Sequence, residues 1–240
     1  MPAIEGGDKP THALPDFRLL RFLHGHHAHL VMPKLPINLH SAKVTSILPL
    51  EAPRWVQANK IEYLDPTGVK RDWEFCSRKT RVPGADCDGV GIIAMFKGAN
   101  GPEILLQKQF RPPVDGVCIE VPAGLLDPNE TIEECAEREL LEETGYVGKA
   151  FSVSPLMFND PGFCNTNLKL VHVEVDMEDP RNLNPQTSLE DNEFIESFKV
   201  PLAELPEILL ELSKEYKLDA RVQNIADGIL LARQYFGHRA

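Results

Sequence analysis

The chain has 240 residues, 42% hydrophobic and 25% charged, a balance that suits a compact soluble domain with extensions and excludes a disordered chain. A formal net charge of −11 and a pI near 5.2 argue against a protein that tracks a nucleic-acid backbone, and no apolar run is long enough to cross a bilayer. Cys76, Cys87, Cys118, Cys135 and Cys164 are odd in number and irregularly spaced, so they form no zinc pattern and suggest a reducing compartment, cytoplasmic or nuclear.

Residues 1 to about 50 are rich in Pro and His and lack sustained periodicity, which predicts a mobile extension. Its stretch HGHHAH, His24 to His29, could hold a soft metal, but a disordered tail explains it more simply. Arg18, Arg21 and Lys34 lie in an acid-free run from Phe17 to Leu50 that faintly resembles a mitochondrial presequence. Glu5, Asp8 and Asp16 precede them, and such presequences avoid acids. No secure targeting signal is read, and mitochondrial targeting stays open.

Residues 51–87 are expected to form an antiparallel β region. WVQANKIEYL and VKRDWEFCSRKT flank the turn Asp65-Pro66-Thr67-Gly68, the composition of a hairpin. If Leu64 pairs with Val69, Trp55 falls opposite Arg78 and Trp73 opposite Lys60. Trp55 and Trp73 then lie on opposite faces, and one regular hairpin cannot close both indoles on a single ring, whereas hairpins from two protomers can. A bulge or a five-residue loop would overturn that register. Taken alone, aromatics on a strand are explained by core or interface packing.

Residues 88–240 are expected to form the main domain, with strand-like runs GVGIIAMF, EILLQKQF, LKLVHVEV and FIESFKV. Among them lies GLLDPNETIEECAERELLEETGY, from Gly124 to Tyr146. Thr131 and Glu134 make a capping box, Gly145 is placed to end the helix, and Ile132, Ala136 and Leu140 mark a buried edge. Glu139, Glu142 and Glu143 stand at i, i+3 and i+4, so their carboxylates share a face. Exposed, such neighbours cost ~0.2 to 0.5 kcal/mol per pair and are merely a solvated acidic face. In a cleft, unit charges 4 Å apart repel by roughly 4 kcal/mol at an effective dielectric of about 20, and a hard cation is needed to hold them charged. Glu133 and Glu137 fit the solvated reading.

Arg111 precedes the stiff pair Pro112-Pro113, and its guanidinium, like that of Arg78, suits phosphate oxygens or surface ion pairs. The runs Leu205 to Lys214 and Ala220 to Tyr235 read as helices whose apolar residues Ile208, Leu209, Leu212, Ile225, Ile229 and Leu230 belong to core or scaffold. His172 and His238 lack convergent partners in sequence and are left out of the chemistry.

The pattern G-x5-E-x7-R-E-U-x-E-E-x-G-U, with U a bulky apolar residue, resembles the signature box of the Nudix hydrolases at Gly124, Glu130, Arg138, Glu139, Leu140, Glu142, Glu143 and Gly145. Tyr146 departs from the smaller aliphatic residue usual there, a change that bears on packing more than on chemistry. The segments WVQANKIEYLDPTGVKRDWE, QKQFRPPVDGVCIEVPAGLLD, NDPGF and DNEF further resemble the eukaryotic ADP-ribose pyrophosphatase branch of that family.

The resemblance implies an α/β/α sandwich with a mixed β-sheet and an N-terminal antiparallel β region that dimerises with exchange of strands. It implies a homodimer with shared sites in which Trp55 and Trp73 stack the adenine and Glu74 reads it. Arg78, Arg111, Leu125 and Asp160 would meet the rest of the substrate. The metal cage would use the carbonyl of Ala123 with Glu139, Glu143 and Glu193, with Glu142 assisting, and would take Mg2+, with Mn2+ able to substitute. Gly124, Glu130, Arg138 and Gly145 would brace the motif. Glu193 is expected as metal-assisting acid or general base, with Glu190 and Asp191 as local rivals. The implied reaction is hydrolysis of ADP-ribose to AMP and ribose 5-phosphate by metal-activated water. The alternatives are a broader hydrolase of nucleoside diphosphate sugars or oxidised nucleoside diphosphates, and a non-catalytic ADP-ribose sensor.

Overall fold

The computed structural model describes residues 52–237 together with Leu39 and Thr45. The rest of the expected N-terminal extension, with its histidine stretch and presequence-like cations, and His238 lie outside the described residues.

The first element is a hairpin of β1 (Val56–Leu64) and β2 (Lys70–Arg78). Asp65 organises its turn: one carboxylate oxygen accepts from the Thr67 hydroxyl at 2.6 Å and from the backbone N–H groups of Thr67 and Val69, and the other accepts from Arg71 Nε at 3.0 Å. These bonds, led by the Thr67 hydroxyl, hold its pKa down at about 2.

The register differs from the expected one. Asp65 N–H donates to Val69 O at 2.9 Å, so Leu64 pairs with Lys70, Ile61 with Trp73 and Val56 with Arg78. Trp55 therefore does not face Arg78, nor Trp73 Lys60. The cause is Gly68, whose left-handed backbone (φ 82°) adds a bulge residue to the turn. The shift by one residue reverses the face argument, because Trp55 now falls on the same side of the hairpin as Ile61 and Trp73. Trp55 lies six residues along the strand from Trp73's partner, roughly 20 Å at about 3.3 Å per residue. Distance, rather than facing, now separates the two indoles within one chain.

The remaining strands form one mixed sheet in the order β11-β5-β4-β3-β9-β7, with β10 on β4 and β6 on β3. Here β3 is Gly89–Gly98, β4 Gly101–Arg111, β5 Gly116–Glu120 and β6 Ala123–Leu125. Next come β7 (Lys149–Val153), β8 (Met157–Phe158, on β9), β9 (Asn167–Val175), β10 (Ile195–Pro201) and β11 (Lys217–Leu218). β3 runs parallel to β9 and β11 parallel to β5. Helix α1 (Ile132–Thr144) covers one face, burying Cys135, Ala136 and Leu140 against Val90, Ile92, Ala94, Phe96, Val171 and Val173. Tyr146 packs edge-on to Phe96 at 5.0 Å, so it acts in packing.

Helices α2 (Leu205–Leu212) and α3 (Ala220–Phe236) bury Leu205, Leu209, Val222 and Ala226 outside that cluster. Leu230, expected in the scaffold, is 44% exposed. Leu230 continues the row of Val222 and Ala226 at i+4, but that row is buried only in the first half of α3, so its third member is left at the surface.

The sheet forks at one end. β4 pairs with β3 only up to Ile104, and from Gln107 its edge is taken by β5. β6 takes the freed end of β3 from Gly89 to Gly91. The link Val121-Pro122 thus straddles the fork, anchored by Ile92 N–H donating to Pro122 O at 2.7 Å, and delivers Ala123 and Gly124 to its mouth.

Candidate active site

A cleft of about 670 Å³ opens at this fork, a volume suited to a nucleotide-sized ligand. Its acidic wall is α1. Thr131 caps the helix with both halves of the capping box formed, and Gly145 ends it in the left-handed conformation at φ 76°. A Cβ on Gly145 would also overlap the backbone of Pro185 and Gln186. Ser188 N–H donates to Glu142 O at 2.8 Å, so the end of α1 carries the loop that leads to Glu193.

Arg138 is the hub of this wall. Its Nε and Nη2 donate to the two oxygens of Glu130 at 2.7 and 2.9 Å, and Nη2 also reaches Leu125 O at 3.1 Å. Its Nη1 donates to Glu139 at 2.8 Å and Glu142 at 3.0 Å. The guanidinium pKa rises in consequence, chiefly through Glu130. Gly124 lies so close to the Glu139 carboxylate that any Cβ there would overlap it, which is the physical reason for glycine at this point.

Glu143 behaves differently from its neighbours. It is 5% exposed and its Oε2 accepts the Ala123 N–H at 3.0 Å. Burial pushes its pKa up to about 8; Ala123 N–H opposes the rise, while Glu139 and Glu193 add to it. Burial also raises Glu139, against the pull of Arg138.

Among the described residues no three acid, thiol or imidazole side chains close into a ready ligand cluster. Glu139 and Glu142 meet on Arg138 while Glu143 turns to Ala123, so the three expected carboxylates do not converge on a single point. The site nevertheless fits a hard divalent ion. Glu143 is a buried carboxylate with too little positive charge around it, and Glu139 lies beside it across a glycine cradle. The available donors are all oxygen.

Of the other expected residues, Arg78, Arg111, Ala123, Leu125 and Glu193 line the cleft. Glu193 Oε2 accepts the Glu190 N–H at 3.0 Å, and Glu193 N–H donates to Glu190 O at 3.0 Å, a reciprocal pair that holds the loop. Glu190 lines the cleft as well, and Asp191 does not. Trp55, Trp73, Glu74 and Asp160 lie off the cleft wall. Trp55 and Trp73 are 59% and 52% exposed. Arg54 lies over the Trp55 ring at 4.3 Å, and Trp73 Nε1 donates to Gly162 O at 3.0 Å, docking β2 on the loop after Asp160.

Several cleft residues escape sequence reasoning. Asp88, 5% exposed, accepts Arg81 Nε and Nη2 at 2.7 and 2.6 Å and the Asn167 N–H at 2.9 Å, locking the start of β3 to β9. Burial would raise its pKa, and Arg81 with the Asn167 N–H outweighs this and lowers it. Arg221, in the first turn of α3, lines the cleft with Nε and Nη2 on Asp219 at 2.9 and 2.7 Å. Glu120, off the cleft wall, is a charge set inside the apolar run Ile119-Glu120-Val121, and nothing in its spacing singles it out.

A forked mixed sheet between helices, with a capped acidic helix packed on a glycine strand end, is the framework of a Nudix hydrolase. The family model of the NUDIX domain matches residues 87–221, and the chain belongs to that family. It is 58% identical over 185 residues to an ADP-ribose pyrophosphatase of Saccharomyces cerevisiae, covering 76% of this chain and 80% of the relative. It is 36% identical over 189 residues to an ADP-sugar pyrophosphatase of Mus musculus, covering 78% and 86%. A crystal structure of an ADP compounds hydrolase shares the fold, with a TM-score of 0.54 at 16% identity over 82% of this chain and 95% of that one.

Proposed function

We propose that the protein hydrolyses the pyrophosphate of ADP-ribose to AMP and ribose 5-phosphate. The observation that carries this reading is the meeting in one cleft of the acid helix with Arg78 and Arg111, in a chain 58% identical to a yeast ADP-ribose pyrophosphatase.

Nudix hydrolases generally need a divalent metal, and Mg2+ suits an all-oxygen shell best. Ala123 through its carbonyl, Glu139 and Glu143 would hold the ion, with Glu142 and Glu193 assisting. Bound there, it would supply Lewis-acid polarisation of water and of phosphoryl oxygens. Arg111 and Arg78 orient the diphosphate and offset the negative charge that grows on the leaving phosphate. Glu193 receives the proton of the attacking water; its Oε2 is occupied by Glu190 N–H, which leaves Oε1 for that task. Water adds its oxygen to one phosphorus, and the bridging oxygen departs with the other. No covalent enzyme intermediate is required.

The same reading assigns the adenine to Trp55 and Trp73 with Glu74, the terminal ribose to Asp160 and Leu125, and the working form to a homodimer. Two exposed indoles about 20 Å apart on one hairpin do not sandwich one ring, whereas one from each of two protomers can. The exposed Ile61, Tyr63, Leu64 and Val69 on the same hairpin support burial against a second copy.

The test is kcat/KM with Mg2+ for ADP-ribose, ADP-glucose, NAD, diadenosine polyphosphates and 8-oxo-dGDP. Preference for ADP-ribose is expected. Equal turnover of all five would replace the reading with a general nucleotide-clearing hydrolase.

A further inference from the structure

We propose that Glu120 is a positioning residue that fixes Arg111 for anion contact; the proposal rests on the reading above, in which Arg111 meets the diphosphate. Glu120 is 3% exposed, and its chain neighbours Ile119 and Val121 are fully buried. A carboxylate in such a run is disfavoured unless it is paired and hydrogen-bonded. Its two oxygens accept Arg111 Nε at 2.7 Å and Nη2 at 2.6 Å, a two-pronged geometry that fixes the plane of the guanidinium as well as its position.

Strand register explains how the two residues meet. Arg111 pairs with Gly116 and Glu120 with Gln107, and alternation puts both side chains on one face of the β4/β5 ladder. Gly116 offers Arg111 no side chain, so the guanidinium runs lengthwise along the ladder to Glu120. Nε and Nη2 are thereby committed, and Nη1 is left to meet an anion in the cleft. Asp219 holds Arg221 by the same two nitrogens, and the charge of Glu120 also acts on Arg221. Arg111 and Arg221 are thus two of the cleft's cations, each oriented by its own acid. If Glu120 were only a packing residue, an apolar side chain of similar volume would serve the run better.

The test is a double-mutant cycle on ADP-ribose hydrolysis with wild type, Glu120→Gln, Arg111→Ala and the double variant, with melting temperatures for each. Glu120→Gln should lower kcat/KM by about 10- to 100-fold in the wild-type background and by less than about threefold once Arg111 is already Ala. Equal losses in both backgrounds would mean that Glu120 serves the fold alone, and would overturn the proposal. Arg111→Lys keeps the charge without the two-pronged pair and should fall about as far as Arg111→Ala. A Lys variant near wild type would overturn the proposal even if Glu120→Gln does not fold. A wild type inactive on ADP-ribose would remove the functional reading and this role with it, a result seen before any variant is compared.

Discussion

Ala123 and Glu143 are joined by a single hydrogen bond, from the backbone N–H of Ala123 to the buried carboxylate at 3.0 Å. It ties β6 to the last turn of α1 through a side chain. One neutral donor offsets little of the cost of burying an anion, so Glu143 holds its proton up to about pH 8 in the metal-free protein. Stability and chemistry therefore pull this residue in opposite directions.

Glu143→Gln separates the two. The amide keeps the shape and can still accept the Ala123 N–H. The metal-free variant should melt at or above the wild-type temperature, while turnover of ADP-ribose falls by about 100-fold or more. Thermal denaturation and initial rates check both; a variant that melts several degrees lower would contradict the account of Glu143.

The pH dependence follows with a definite sign. Folded Glu143 titrates near 8 and an ordinary glutamate near 4.5, so between those values the folded state binds more protons. Its contribution to stability therefore declines as pH rises from about 4.5 to 8, then levels off. Divalent metal needs the carboxylate, so metal binding should release protons below pH 8 and tighten toward it. Denaturation of metal-free wild type at pH 5, 6.5 and 8, less the same series for Glu143→Gln, isolates the effect. A difference that grew in favour of wild type with pH would contradict it.

Gly124→Ala forces a methyl group into the Glu139 carboxylate. The strand or helix must yield, at about 1 to 3 kcal/mol, and activity should fall more than stability does because Glu139 moves. Chemical denaturation and kcat measured together test this; a variant with wild-type kcat would show that the close approach is dispensable.

Trp55→Ala and Trp73→Ala should each raise KM for adenine-containing substrates by about tenfold or more, the scale of one stacking contact worth ~1 to 3 kcal/mol. Trp73→Ala also loses the bond to Gly162 O and should loosen the hairpin more. Steady-state kinetics with sedimentation of each variant test this, and an unchanged KM in both would remove the adenine assignment.

Much of the architecture was legible because it follows from local rules. The cap at Thr131, the stop at Gly145 and the runs that became β3, β4, β9 and β10 each carry their own signal. The hairpin register was not, since one left-handed glycine in a turn decides whether strands pair at Leu64–Val69 or Leu64–Lys70. The cleft was half legible. Spacing puts Glu139, Glu142 and Glu143 on one helix, but which of them meets Arg138 and which turns to Ala123 depends on where β6 ends in space. Asp88 with Arg81, Glu120 with Arg111 and Arg221 with Asp219 are ion pairs across or within elements, and no periodicity singles out those partners.

The most direct measurement is a complete digestion of ADP-ribose by the Mg2+-loaded protein in 18O-enriched water, with mass analysis of both products. The expected products are AMP and ribose 5-phosphate in equal amounts, with one 18O per bond broken, on a phosphate. Release of ADP and free ribose, or label on a sugar carbon, would mean that another bond is cut and would contradict the proposed hydrolysis.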